Sequence, residues 1–356
     1  MSGGRGVPVG RTGKVRPARI TDLAALGELS RLCQAEDSGT RSLGLPVSGR
    51  PIGMFSLFRF PLGGLRPHDL LYVFESEGRL AGLLRVEREA QRDEWTIVEL
   101  DGVGVAEAGD IRFRLVQHCL RDAQRRGAAR FHVACADADG NVELFMQAGF
   151  ARYGEELILY RPAGTADPAG GDAGAAAVTA GIRTAEPADA LALARLYAAA
   201  TPVPVQRLEA YRLVDWERQG LQWRIPRSSL APILRFADVE AFVRPAPGGG
   251  RDGTELDGFV QVGVAKEDQP DYLRILVRQG VDGGDLVRFG LGVIAARGAR
   301  RVGRSDRGVL APVRTYESPL EHRLEDEGFE SVARVTLLMK ETLVRVAEPA
   351  LVPAIR

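Results

Sequence analysis

Val15-Arg16-Pro17-Ala18-Arg19-Ile20-Thr21-Asp22-Leu23-Ala24-Ala25-Leu26 is answered further along the chain by Ile182-Arg183-Thr184-Ala185-Glu186-Pro187-Ala188-Asp189-Ala190-Leu191-Ala192-Leu193. Each stretch carries an arginine, then an aspartate, then a run of alanine and leucine. Working outward, Arg126-Gly127-Ala128-Ala129-Arg130 returns as Arg297-Gly298-Ala299-Arg300-Arg301, and Ala148-Gly149-Phe150 as Glu327-Gly328-Phe329. The three pairs keep one order and their spacing grows slowly, as small loop insertions in the second copy would make it. The period is too long for a solenoid, so each copy is expected to be a whole domain, the two lying side by side on a tether.

The length of 356 residues agrees with two domains, each able to hold its own core. Zero net charge gives no global pull toward nucleic acid or an anionic membrane. Aromatics are only 6% of the chain, few for stacking on bases. Cys33, Cys119 and Cys135 lack metal-ligand spacing and read as buried apolar groups in a reducing compartment. The four histidines are scattered, so no metal cluster is expected. Residues 1–14 have no apolar core and do not read as a secretory signal. No apolar stretch is long enough to span a bilayer, and the expected location is the cytoplasm. Pro162 to Gly181 is rich in Ala, Gly, Pro and Asp and reads as a flexible linker. The expected organisation is a tail (1–14), a first domain (15–161), a linker (162–181), a second domain (182–347) and a tail (348–356).

In the first copy, Val15-Arg19 reads as a strand. Asp22 caps a helix carrying Leu23, Leu26, Leu29 and Leu32. Leu70-Phe74, Leu80-Glu87 and Trp95-Val103 read as strands, Asp110 to Arg126 as a helix ended by Gly127, Phe131-Cys135 as a strand, Asn141-Ala148 as a helix and Glu156-Arg161 as a strand. The second copy repeats the order: strand Ile182-Thr184, helix Ala190-Ala200, a further helix over Val205-Trp216, and strands Val239-Arg244, Leu256-Val264 and Tyr272-Val277. Helix Gly284-Arg297 is closed by Gly298, and strand Val302-Ser305, helix Leu320-Glu327 and strand Val335-Val346 follow. Pro245 to Gly253 reads as a long hairpin loop.

This order, with the phrases Arg16-Pro17-Ala18…Asp22, the helix ended by Gly127, and Gly149-Phe150, resembles the GCN5-related N-acetyltransferase (GNAT) superfamily. The second copy resembles it through Arg183, Asp189, Gly298, Gly328 and Phe329. The resemblance implies an α+β chain of two tandem acyl-CoA N-acyltransferase domains, each a mostly antiparallel mixed sheet flanked by helices. It implies acetyl-CoA or another acyl-CoA as cofactor, and an amine of a small molecule or peptide as acceptor. Neither nucleic acid nor membrane is an expected partner; a homodimer stays open.

The chemistry needs amide donors for the pyrophosphate, a donor for the thioester oxyanion, a base for the ammonium and an acid for the thiolate. The family's pyrophosphate loop, Arg/Gln-x-x-Gly-x-Gly/Ala, falls on Val103-Gly104-Val105-Ala106-Glu107-Ala108-Gly109-Asp110 and on Arg278-Gln279-Gly280-Val281-Asp282-Gly283-Gly284-Asp285. Neither matches. The resemblance places cofactor contacts at Val103, Val105 and Gly109, and at Val277, Gly280, Gly283 and Gly284. Against this, Asp110 and Asp285 read as N-caps that fill the anion site with their own carboxylates.

Glu99 and Asp101 lie two apart on one strand face, where the family often places a base; the alternative is a solvated face. The second copy's corresponding strand has no carboxylate. The family's tyrosine acid is replaced by Phe145 and Leu324, leaving Tyr316 as a substitute or as a packing residue. Arg297, Arg300, Arg301, Arg304 and Arg307 offer a phosphate site or a helix end favoured by positive charge. Trp216 and Trp223 line an acceptor cleft or pack in the core. Residues 39–64 and 201–232 are where the acceptor pocket is expected. Two readings remain: an acyltransferase, or a catalytically degenerate scaffold of the same fold for ligand binding or protein interaction.

Overall fold

The computed structural model describes residues 13–22, 24–29, 43, 69–89, 92–103, 108–138, 140–165, 181–217, 226–234, 236–248, 255–265, 269–299 and 308–342. The first half runs β1 (Gly13–Pro17), β2 (Asp69–Ser76), β3 (Arg79–Glu89), β4 (Glu94–Gly102), α1 (Ala108–Arg125), β5 (Arg130–Ala136), α2 (Asn141–Gln147) and β6 (Ala151–Arg161). The second runs β7 (Arg183–Thr184), α3 (Ala190–Ala200), α4 (Val203–Glu209), α5 (Leu213–Glu217), β8 (Phe236–Pro245), β9 (Leu256–Ala265), β10 (Asp271–Val277), α6 (Gly284–Ala299), β11 (Val309–Arg314), α7 (Ser318–Asp326) and β12 (Glu330–Glu341).

The repeat is visible atom by atom. Arg16 donates two hydrogen bonds to Asp22 at 2.7 and 2.8 Å, and Asp22 also accepts from the Arg19 amide at 2.7 Å. Arg183 does the same to Asp189 at 2.7 and 2.5 Å, and Asp189 accepts from the Glu186 amide at 2.8 Å. Hydrogen bonds from Arg16 hold the Asp22 carboxyl below its ordinary pKa. Both Gly-Phe turns close their helices alike. Gly149 and Gly328 adopt φ of 87° and 83°, as only glycine does without strain. The following Phe150 and Phe329 amides reach back to Phe145 and Leu324.

The two halves do not form separate sheets on a tether. All twelve strands join one sheet in the order β1-β2-β3-β4-β5-β12-β6-β11-β10-β9-β8-β7, which reads as the same succession from either end. The last strands are exchanged: β12 pairs with β5 of the first half, β6 pairs with β11 of the second, and β6 and β12 pair with each other, all antiparallel. Each exchanged strand lays a cation on the other half's last helix. Lys340 donates to the Ala148 carbonyl at 2.6 Å and Arg161 to that of Glu327 at 2.7 Å. A cation suits a helix C-terminus, where carbonyls are left without helical partners.

Three expected elements differ. The single helix over Val205–Trp216 is two short helices, broken where Ala210 takes φ 44°. Helix α6 continues through Gly298 to Ala299. The fifth strand of the second half lies at Val309–Arg314 rather than Val302–Ser305, a segment whose residues fall outside those described. Pro312 hides that strand in the sequence. Its carbonyl accepts from Arg274 on the side facing β10, so its ring nitrogen faces the same side, where β10 has already parted and no ladder bond is lost.

Helix α1 buries Ile111, Leu115, Val116, Cys119 and Ala123 as expected from its periodicity. Cys119 and Cys135 are buried free thiols. None of the described helices is long and apolar enough to cross a membrane.

Because each half's fifth strand is paired with the other half's last, cutting the chain within residues 166–180 should leave both fragments co-eluting as one species of unchanged size. Residues 1–165 expressed alone should fail to give a cooperative unfolding transition, checked by size exclusion and urea denaturation.

Candidate functional site

Strands β4 and β5 pair in parallel over four residues, Glu94–Ile97 with Arg130–Val133, and then part. At the parting, the β3–β4 ladder slips by one residue: Arg85 faces Glu99 and Val86 faces Ile97, so Val98 is bulged. A bulge leaves its extra residue out of the ladder, here beside the gap. Thr96, Ile97 and Val98 line one wall of the gap and His132, Val133 and Ala134 the other. The floor comes from the second half: Arg227, Ser228, Ser229 and Ile233. The cavity, open on one side, has a volume of about 20 Å³, room for one water.

The second half is built differently at the same place. Gly82 and Gly258 each lie against the first turn of the following helix, beneath Ile111 and Leu286. Counting along the ladders from these glycines, Glu99 corresponds to Arg274, Arg85 to Gln261 and His132 to Leu310. The β9–β10 ladder runs unbroken from Tyr272 to Val277, with no bulge. Arg274 is 1% exposed and makes two 2.8 Å hydrogen bonds to Glu317. Arg314 binds Glu156 of the first half at 3.1 Å and Glu209 at 3.0 Å. Glu156 also takes the amide of Ser229 at 2.8 Å and its hydroxyl. Buried ion pairs therefore occupy the gap that stands open in the first half.

The anion site at the start of α6 is also filled. Asp282 accepts from the Gly284 amide at 2.9 Å and pairs with Arg323 at 2.9 Å. The amide bond first, and Arg323 behind it, hold its carboxyl below the ordinary value. An internal carboxylate was expected here, but it is Asp282 that caps. Asp285 lies inside the first turn, paired with Arg288. Asp110 likewise is no cap; it pairs with Arg114 at 2.9 Å on the exposed face of α1.

Glu99 and Asp101 are both buried on one face of β4, not solvated, and Glu99 is paired with Arg85 at 3.0 Å. Tyr316 does not join them. It lies in the second half among Arg274, Arg314, Glu209 and Glu317, and burial raises its phenol pKa. Val103 spends its amide on the Ala81 carbonyl at 2.9 Å, whereas Gly109 is exposed in the first turn of α1, with open space among the described residues where a Cβ would stand. Val105 lies outside the described residues, as do Trp223, Arg300, Arg301, Arg304 and Arg307. Arg297 pairs with Glu240 at 2.5 Å. Val277 continues the β10 ladder, Gly280 takes φ 81° in the following turn, and Gly283 packs against Val277 and Leu320. Trp216 is core, packed at an angle to the Tyr197 ring and edge-to-face with Tyr211. His132 was missed by sequence reasoning, whereas the floor residues Arg227, Ser228 and Ser229 fall within the segment 201–232 where a pocket was expected. The one available signal was the shared strand face of the paired neighbours Thr96 and His132.

No protein-family model and no curated protein matches the chain. Among solved structures, it is similar to a tandem GNAT protein from the clavulanic acid biosynthesis pathway, at 15% identity and a TM-score of 0.54, over 93% of this chain and 98% of that one. It is also similar to a GCN5-related N-acetyltransferase from Sphaerobacter thermophilus, at 16% identity and a TM-score of 0.56, over 92% and 95% of the two chains. These likenesses span both halves and show that the fold is the tandem GNAT fold.

The filled gap makes a direct prediction. Arg274→Met, which leaves Glu317 buried without its partner, should cost about 3–5 kcal/mol in urea unfolding. Adding Glu317→Gln, which removes the charge but keeps an acceptor for the Arg314 amide, should restore more than half of that loss.

Proposed function

We propose that the protein is an N-acyltransferase that moves an acyl group from coenzyme A to an amine, and that it does so in the first half only. The carrying observation is the bulge at Val98, placed where β4 and β5 part, against an unbroken strand and a buried Arg274–Glu317 pair at the corresponding place in the second half. The scaffold reading fits the second half alone, whose anion site holds Asp282.

Bound acyl-CoA would supply an activated carbonyl and a thiolate leaving group. The chain's own groups answer the remaining demands. A backbone donor released from the ladder at Val98 suits a developing oxyanion, because it is fixed in place before any charge forms. The amides at the start of α1 around Gly109 suit a pyrophosphate. Ile97, Val133 and Ala134 offer an apolar wall that keeps water from the acyl group. Glu99 and Asp101, buried on the same face, favour an acceptor that arrives as a cation. The acceptor class is an amine of a small molecule or peptide, and the location is the cytoplasm.

Calorimetric titration with acetyl-CoA should show one site per chain rather than two. Ala134→Phe, which fills the gap beyond the last paired residue of β5, should abolish binding, while Asp282→Asn in the second half leaves it unchanged. Absence of heat from the folded wild-type protein at millimolar acetyl-CoA would sink the proposal.

A further inference from the structure

Nearly every charge this fold buries has a partner. Arg92 is held by Asp215 at 2.7 Å and Glu94 at 2.9 Å, and Arg227 of the second half by Glu94 at 2.7 Å and Glu89 at 2.9 Å. His132 is held more loosely, by Glu94 alone. It is 3% exposed, it lines the cavity between β4 and β5, and among the described residues neither of its ring nitrogens makes a well-aligned hydrogen bond. Its Nε2 stands 3.3 Å from Glu94, close enough to be oriented by that carboxylate. A buried imidazole whose one polar neighbour is a loosely placed carboxylate leaves its other nitrogen facing no acceptor or donor of the described chain, a cost that calls for a reason.

We infer that His132 takes the proton from the acceptor ammonium across one water held in the cavity. The inference rests on the acyl-transfer reading above. As the ammonium gives its proton to the water, the water passes one of its own to the imidazole. The freed lone pair forms the C–N bond while the C–S bond breaks. The second N–H proton ends on the departing sulfur, and the imidazolium returns its proton to solvent. Glu94 steadies the imidazolium that forms, and Arg227 makes the second half part of the site.

The groups facing His132 are Glu94 from β4, Glu89 from the end of β3, Arg227 from the floor and the Tyr153 ring from β6. Burial first, and Arg227 second, lower its pKa against the opposing pull of Glu94. The ring is thus neutral at pH 7 and able to accept a proton, and charges only below its ordinary value of 6.5. The rate should rise with pH through that lowered pKa and then level off, the profile of a base that must be unprotonated.

The test uses the full chain labelled with ¹⁵N-histidine; only four histidines are present, and His132→Gln assigns the signal. The expected result is an imidazole that titrates below 6.5, moves upward in Arg227→Met, and matches the inflection of the rate profile. In acetyl transfer to ethanolamine, His132→Gln should lose about 100-fold. Transfer to trifluoroethylamine, already neutral at pH 7, should change little, a difference that a structural role would not produce. Equal losses for both amines, an unchanged ethanolamine rate, or a His132 ring charged at pH 7 would each overturn the inference while leaving acyl transfer standing. If the wild-type protein acetylates neither amine, the charge state of His132 in the acetyl-CoA-bound chain decides alone. If acetyl-CoA does not bind, both readings fall.

Discussion

The ladder between β6 and β12 is the constraint on which the molecule depends. It runs from Glu330 opposite Tyr160 to Met339 opposite Ala151, and it alone joins two strands that have each left their own half. Without it, β12 and β6 would be left as edges in the middle of the sheet. Unpaired edges invite pairing with other chains, and the exchange removes both at once. It also makes contacts of high sequence separation obligatory. Val335 pairs with Ala136, and Arg161 reaches Glu327. Neither half can complete its sheet before the other is present, so the duplication has produced one cooperative body.

What the sequence could reveal follows from range. Arg16 and Asp22, Arg183 and Asp189, and the glycines at 149 and 328 act within a few residues, so their repetition was legible and their geometry agrees. Most strands and helices followed from period and punctuation for the same reason. The strand exchange was not legible, because β6 and β12 carry the same pattern whichever half they pair with. Side-chain alternation fixes a face, not a partner. Pro312 concealed β11, since the rule that bars proline from a central strand assumes neighbours on both sides, and here one side is open.

The candidate site was legible by strand and not by contact. Glu99 and Asp101 were placed on the right face of β4, yet the Arg85 partner of Glu99 sits on a different strand. The filled anion site at α6 was foreseen in kind, with the capping carboxylate displaced from Asp285 to Asp282. Asp110 failed as a cap because Ala108 and Gly109 precede it in the helix, so it lies inside the first turn rather than ahead of it and meets Arg114 instead. His132 escaped notice because a lone histidine on a strand is unremarkable until its surroundings are known. Those surroundings, from Arg227 to Ile233, arrive from the other half.

The two halves have diverged in a way that explains why both are present. In the second, arginines stand at 274 and 314 on the face that is open in the first, and a guanidinium taken out of water must find acids. Arg274 finds Glu317 within its own half, but Arg314 reaches across to Glu156 on β6. The traffic runs the other way as well. Arg92 of the first half takes Asp215 and the Glu209 carbonyl from the second, and Arg227 of the second takes Glu94 and Glu89 from the first. Such pairs add little over well-packed apolar residues, yet losing one partner costs several kcal/mol. They therefore penalise any relative shift of the halves more than they reward the correct one. A half whose own cleft is plugged in this way is committed to holding the other in register. The segment that does so, running from Arg227 through Ser229, is the same segment that closes the floor beneath Val98 and His132.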